Sequence, residues 1–193
     1  MLIKTKPKII LVDMDGVLAD FERGVYETLL RDYPTVPAIN PSQRTTFYTR
    51  DDYLQDDHPI IDGITHRPGF FLNLPLIEGA LDGFREMWFT KGLYVTVCSS
   101  PLSRNKYCIP EKLKWLASRF EGDLGEKIKE RAIIIKDKSL VRGDILVDDR
   151  PSFSDRLEFE PSWEHVLFTQ PYNENVTGKR RLNWDNWKEV LQF

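Results

Sequence analysis

Asp13 and Asp15 stand one residue apart at the end of an apolar run, in the segment IILVDMDGVLAD, and Gly16 follows at once. At neutral pH a carboxylate is already ionised and needs no base to act as a nucleophile, so the pair suits covalent chemistry at phosphorus. Asp13, directly at the strand end, is placed to attack. Asp15, two residues on, is placed to protonate a leaving oxygen and then to activate water. Gly16 lets the chain turn tightly without a Cβ in the way.

Other apolar runs stop on similar groups. YVTVCS ends at Ser99 and is followed by Ser100, AIIIK is followed by Asp137 and Lys138, and ILV by Asp148, Asp149 and Arg150. One acid after a strand is an ordinary helix cap, but four run ends carrying acids, hydroxyls or cations need another reason. Carboxylates gathered at one point repel each other unless a cation sits among them. Oxygen ligands without clustered His or Cys favour a hard ion, and Mg2+ is the usual companion of a phosphate. Ser99, with Ser100 beside it, and Lys138 would then hold phosphate oxygens by hydroxyl and positive charge. Adjacent strand residues point to opposite sides, so Asp148 and Asp149 are not both expected to touch the ion, and the sequence does not say which does.

These residues need elements to bring them together. Apolar β-branched runs recur at 9–13, 94–99, 132–136, 145–149 and 165–169, with helical patterns such as FERGVYETLLRDY, EGALDGFREMWFTKG and PEKLKWLASRF between several of them. This alternation predicts an α/β fold, a parallel sheet with helices on both faces, whose ligands bind at the carboxyl ends of the strands. The interval from about Glu22 to Glu78 is too long for one crossover and carries Pro34, Pro37, Pro41, Pro59, Pro68 and Pro75. It reads as a small, mostly helical cap, residues 22–78, inserted after the first strand of a core made of 1–21 and 79–193. The region about 170–183 reads as loose, its basic triplet a solvated surface, and NWDNWKEVLQF as a short helix with Trp184 and Trp187 packed on the body.

Bulk properties narrow the partners. The chain of 193 residues suffices for one good-sized core, and its net charge of −3 argues against a nucleic-acid polymer as partner. Cys98 and Cys108 have no metal-ligand spacing around them and read as reduced thiols. The N-terminal segment has no signal-peptide or transit character, and no apolar run approaches about 18 residues, so a cytoplasmic protein without membrane association is expected.

The segment DMDGVLADFE resembles the first motif, DxDGx, of the haloacid dehalogenase (HAD) superfamily of phosphatases, and more narrowly the 5'(3')-deoxyribonucleotidases. VCSSP resembles the second motif of that family, KDKSLVRGDILVDDRP its third and fourth, and PSWEHVLFT and RRLNWDNWKEVL its C-terminal region, so the resemblance spans nearly the whole chain. It implies a HAD-like Rossmannoid sheet, with Asp13 as nucleophile and magnesium ligand. It implies Asp15 as acid and base that also gives its main-chain carbonyl to the metal, Ser99 and Lys138 as phosphate holders, and the Asp148–Asp149 pair completing the metal site. Ser99 stands where close relatives often carry Thr, and both offer a hydroxyl.

The family also has aromatic residues that enclose a nucleobase, which implies substrate contacts at Phe21, Phe47, Tyr48, Thr49, Phe70 and Phe71, with Arg150 adding charge. Stacking a base is worth about 1–3 kcal/mol, and an apolar wall would leave a ribose 2'-hydroxyl without a partner. Lys112 and Arg104 are further cations near the motifs that would add positive charge there, with exposed surface the plainer reading for Arg104. His58, His66 and His165 show no ligand spacing and receive no role.

The expected activity is magnesium-dependent hydrolysis of deoxyribonucleoside monophosphates through an aspartyl-phosphate. The family implies a homodimer, although no stretch demonstrates an interface. Rival readings are a related phosphatase acting on another ester, an inactive nucleotide-binding module, and a phosphoacceptor receiver domain. The receiver would carry its adjacent acids first and its lysine last, an order this chain does not follow.

Overall fold

The computed structural model describes residues 6–120, 122–154 and 157–192. Six parallel strands form one sheet: β1 (Lys8–Val12), β2 (Leu93–Ser99), β3 (Ile133–Ile134), β4 (Ile145–Asp148), β5 (Glu164–Phe168) and β6 (Arg181–Leu182), in the order β3-β2-β1-β4-β5-β6. The helices are α1 (Phe21–Asp32), α2 (His58–His66), α3 (Ala80–Phe89), α4 (Cys108–Arg119), α5 (Asp123–Arg131) and α6 (Trp187–Leu191), joined by short 3-10 turns. No described helix is long and apolar enough to cross a membrane.

The central strands bury both faces, which is why their sequences are apolar runs rather than alternating patterns. Ile10 and Val12 of β1 join a large cluster with Val97, Val147 and Val166, whereas Leu11 joins a smaller one with Cys98, Leu146 and Trp163. Val12 pairs with Val97 on one side and Val147 on the other, so β1 lies between β2 and β4 and the three strands end side by side.

Between β1 and β2 the chain makes α1, α2, α3 and a series of 3-10 turns. Asp20 starts α1 by accepting a hydrogen bond from the Arg23 N–H at 3.0 Å, and Val25 and Leu29, one turn apart, bury against the core. The region read as loose is otherwise. It contains β6, and its triplet is engaged: Lys179 meets His165 at 2.6 Å, Arg180 pairs with Glu164 at 2.7 Å, and Arg181 bonds main-chain oxygens of Asn173 and Val176. A two-residue edge strand and its cation contacts are set by β5, outside the reach of a local pattern. Helix α5 is a further element that the sequence patterns leave unmarked: it is mostly charged and buries only Gly125 and Ile128. Trp184 and Trp187 are buried as expected.

Candidate active site

The chain leaves β1 through a closed turn. The Asp13 N–H donates to Val147 O, carrying the strand one residue further, and the Leu18 and Ala19 N–H groups both return to Met14 O at 2.8 Å. Gly16 takes φ +72°, and a Cβ there would lie 2.3 Å from Asp149 Oδ2, so this glycine serves both the turn and the space beside Asp149. Met14 and Val17 go to the core, which directs Asp13 and Asp15 to the strand-end side.

The other groups arrive from neighbouring strands. Ser99 ends β2. Asp137 accepts from the Ser139 N–H at 2.9 Å and so caps the 3-10 turn Lys138–Leu140, which points Lys138 inward. Lys138, only 2% exposed, lies 3.1 Å from Asp13 Oδ1 and 2.5 Å from Asp148 Oδ2. Asp13 Oδ1 also accepts the Met14 N–H at 2.7 Å, leaving Oδ2 outside these bonds. Both oxygens of Asp148 are engaged, Oδ2 by Lys138 and Oδ1 by the Arg150 N–H at 2.9 Å. The Tyr172 hydroxyl donates to Asp149 Oδ2. Of the acidic pair, Asp149 therefore has the freer carboxylate.

Asp13, Asp148 and Asp149 offer oxygens that all lie within 4.8 Å of one another. Burial raises the Asp13 carboxyl above its usual range; Lys138 opposes this and Asp148 adds to it. Burial, then Asp148 and Asp13, raise Asp149 well above that range. Burial disfavours the Lys138 ammonium, but Asp13 and Asp148 outweigh it and lift the lysine well above its ordinary value. A buried, oxygen-only, anionic donor set of this kind fits a divalent hard cation.

Lys112, a cation expected near the motifs, is completely buried. Its Nζ donates to Asp15 Oδ2 at 2.6 Å, Ser99 Oγ at 3.0 Å and Ser100 O at 2.8 Å. The ammonium thus stands between the second aspartate and the serine. Burial raises Asp15, and Lys112 partly counters it.

A cleft of about 340 Å³ opens over these groups. The expected residues Phe21, Phe47, Tyr48, Thr49, Ser99, Ser100, Lys138 and Arg150 line it beside Asp13, Asp15, Asp148 and Asp149. Phe70 does not: it lies edge-on to Phe21 and Phe71, 5.2 Å from each, and its neighbour Phe71 faces the cleft. The physical reason is packing, because Phe70 lies with Leu74 over Gly24 of α1, while Phe71, itself nearly fully buried, borders the cleft. Arg150 donates to the Tyr48 hydroxyl at 2.8 Å and lies 4.7 Å from the Phe47 ring centroid. Buried Arg44 pairs with Glu22 and, at 2.5 Å, with Asp52, closing the loop that carries Phe47, Tyr48 and Thr49. Thr49 donates to Glu22 at 2.8 Å. Sequence reading passed over Arg44 and Tyr172; the charge pattern Glu22, Arg44, Asp52 was the available signal for the first.

The model of the family described as 5' nucleotidase, deoxy (pyrimidine), cytosolic type C protein matches residues 7–193. The chain is 41% identical over 190 residues to the human 5'(3')-deoxyribonucleotidase of cytosolic type, covering 94% of this chain and 92% of that one. It is 36% identical over 190 residues to the human mitochondrial 5'(3')-deoxyribonucleotidase, covering 94% and 81%. In fold it is similar to CbbY from Rhodobacter sphaeroides in complex with phosphate, with TM-score 0.52, 13% identity and coverage of 97% and 100%. It is also similar in fold to a haloacid dehalogenase-like family hydrolase from Streptococcus pneumoniae, with TM-score 0.52, 12% identity and coverage of 96% and 97%.

Proposed function

The chain belongs to the cytosolic type C 5'(3')-deoxyribonucleotidase family and is a phosphoric monoester hydrolase of HAD type; from that premise we propose that it dephosphorylates deoxyribonucleoside monophosphates with Mg2+, through an aspartyl-phosphate on Asp13. The observation that carries the reading is the meeting of Asp13, Asp15, Ser99, Lys138 and Asp149 in one cleft walled by Phe21, Phe47, Tyr48 and Phe71.

Asp13 and Asp149 would hold the ion, with the Asp15 main-chain carbonyl. Mg2+, when bound, would offset the negative charge that develops on the transferring phosphoryl group. Asp13 Oδ1 is tied to Lys138 and the Met14 N–H, so Oδ2 is the atom that forms the new bond to phosphorus. The bond from phosphorus to the nucleoside oxygen breaks as Asp15 gives that oxygen a proton. Asp15 then takes a proton from water, which attacks the aspartyl-phosphate and releases phosphate. Burial favours the protonated form that the first step needs, and Lys112 favours the ionised form that the second needs. Ser99 and Lys138 hold the phosphoryl oxygens, with Ser100 beside them. Residues 22–78 act as the cap that selects the leaving group, supported by the cleft-lining Phe47, Tyr48, Thr49, Ile61, Thr65 and Phe71. A cytoplasmic setting is part of the proposal, supported by free, buried Cys98 and Cys108.

Phosphate release from a panel of deoxyribonucleotides, ribonucleotides and sugar phosphates, with and without Mg2+, tests the reading. Deoxyribonucleotides should turn over fastest, only with the metal, and Asp13→Asn should lose turnover. Good activity on sugar phosphates with none on nucleotides defeats the substrate assignment. Full activity of Asp13→Asn defeats the covalent mechanism.

A further inference from the structure

We propose that Tyr172 is a positioning residue that joins the acid cluster to the cleft wall: its hydroxyl fixes Asp149 for the cation, and its ring braces Phe47. The inference rests on the magnesium reading above.

Among the described residues, each acid of the cluster has its own donors. Asp13 is held by the Met14 N–H and Lys138, and Asp148 by Lys138 and the Arg150 N–H. For the Asp149 carboxylate the donor is the Tyr172 hydroxyl, which occupies Oδ2. A carboxylate beside two others is pushed away from them, and a fixed neutral donor on one oxygen counters that drift without adding a charge to the site. The other oxygen is left for a metal.

The hydroxyl is presented by a frame that grips both sides of the site. Tyr172 lies in the 3-10 turn Pro171–Asn173. Before the turn, Gln170 Nε2 donates to Gly16 O at 2.6 Å. At its end, the completely buried Asn173 donates through Nδ2 to Asp149 O at 2.7 Å and Phe168 O at 2.8 Å. The turn therefore fixes the main chain of Asp149 and of the Asp15–Gly16 corner while its tyrosine fixes the Asp149 side chain. A Cβ at position 16 would also come within 2.9 Å of the Tyr172 hydroxyl, so glycine there makes room for the pair.

The ring faces the other way. Phe47 meets it edge-on, centroids 6.0 Å apart at 74°, and the Arg44 guanidinium lies 6.0 Å from its centroid. Phe47 and Tyr172 both line the cleft, so one side chain touches the metal ligand and the wall assigned to the nucleobase.

Hydroxyl and ring are separable by mutation. Tyr172→Phe keeps the ring, and Tyr172→Leu removes both functions. Calorimetric titration of the full chain with Mg2+ alone, without nucleotide, should show binding about tenfold weaker in Tyr172→Phe. At saturating Mg2+ its KM for deoxynucleotide should stay within about twofold of wild type, while Tyr172→Leu raises it at least about fivefold. Mg2+ affinity unchanged in Tyr172→Phe overturns the role of the hydroxyl. A KM raised equally in both variants overturns the role of the ring. Wild-type protein that binds no Mg2+ overturns the metal reading itself, and this role with it. Should either variant melt early in chelator, a Mg2+-bound structure of the wild type decides: a Tyr172 hydroxyl out of hydrogen-bond reach of Asp149 overturns the proposal.

Discussion

A lysine ammonium with no exposure to water is tolerated only if each of its protons has an acceptor, and Lys112 meets that condition with Asp15, Ser99 and the Ser100 carbonyl. Burial works against its charge, but Asp15 prevails and its pKa is raised. Lys112→Met preserves the stem and removes the charge, so Asp15 should hold its proton more tightly and deliver water less readily. The expected result is a fall in kcat of about a hundredfold with a much smaller change in KM, measured by steady-state kinetics on protein whose fold is checked by circular dichroism. His165 shows the opposite balance. Burial and then Lys179 depress it from the usual 6.5 to about 4. Between those two values the unfolded chain takes up a proton that the folded chain refuses. The stability it contributes is therefore complete above about pH 6.5 and lost as pH falls toward 4, by about 3 kcal/mol at most. His165→Gln, which does not titrate, should flatten the dependence of the urea midpoint on pH across that window; parallel curves for the two proteins would reject the assignment. The residues legible in the sequence were those at strand ends, because a parallel sheet carries its strand ends to one edge. Lys112 was legible as a cation near the motifs but not as the partner of Asp15, and Tyr172 was not legible at all. One reaches its partner across 97 positions from inside a helix and the other across 23 from a turn, and no local pattern encodes either distance.

Helix α4 links the cleft wall to the catalytic edge. Glu111 accepts the main-chain N–H groups of Gly69 at 2.6 Å and Phe71 at 3.2 Å, while the next residue, Lys112, holds Asp15 and Ser99. One turn further, Trp115 donates to Leu74 O at 2.8 Å. The segment that returns to β2 is thus pinned to the same helix that supports Asp15, the proposed proton-transfer acid. Glu111→Ala leaves the Gly69 and Phe71 donors without their carboxylate, so a loss of about 2 kcal/mol in urea unfolding is expected, with a rise in KM because Phe71 faces the cleft. A stability loss with unchanged KM would mean that Phe71 does not contribute to substrate binding. At this scale the strongly apolar strands and amphipathic helices were readable in advance, whereas α5, β6 and the place of Phe70 behind the cleft wall depended on what packs against them. Phe70 and Phe71 are equally apolar, adjacent and buried; which of them borders the cleft is set by tertiary packing, with Phe70 lying beside Leu74 over Gly24.

Across the whole molecule one continuous cluster of buried residues contains Val12 of β1, Val25 of α1, Ile61 of α2, Phe71 and Val166 of β5. The acid cluster is fastened to that body through β1 and β4, so occupancy of the site should be felt by the unfolding of the chain as a whole. A cation that binds only the folded form stabilises it by about 2.7 kcal/mol at a hundred times its dissociation constant. Protons compete for the same oxygens. Burial, together with neighbouring acids, raises Asp13 and Asp149, so without metal the folded chain keeps these protons to higher pH than the unfolded chain does. Their contribution is complete below the ordinary carboxylate pKa and is lost as pH rises through the raised values. Mg2+ needs the deprotonated oxygens and should reverse that slope. The difference in unfolding midpoint between Mg2+ and chelator should accordingly widen from pH 5 to pH 8 and largely vanish in Asp149→Asn. A difference that narrows with rising pH, or survives intact in Asp149→Asn, would put the cation somewhere other than among these acids.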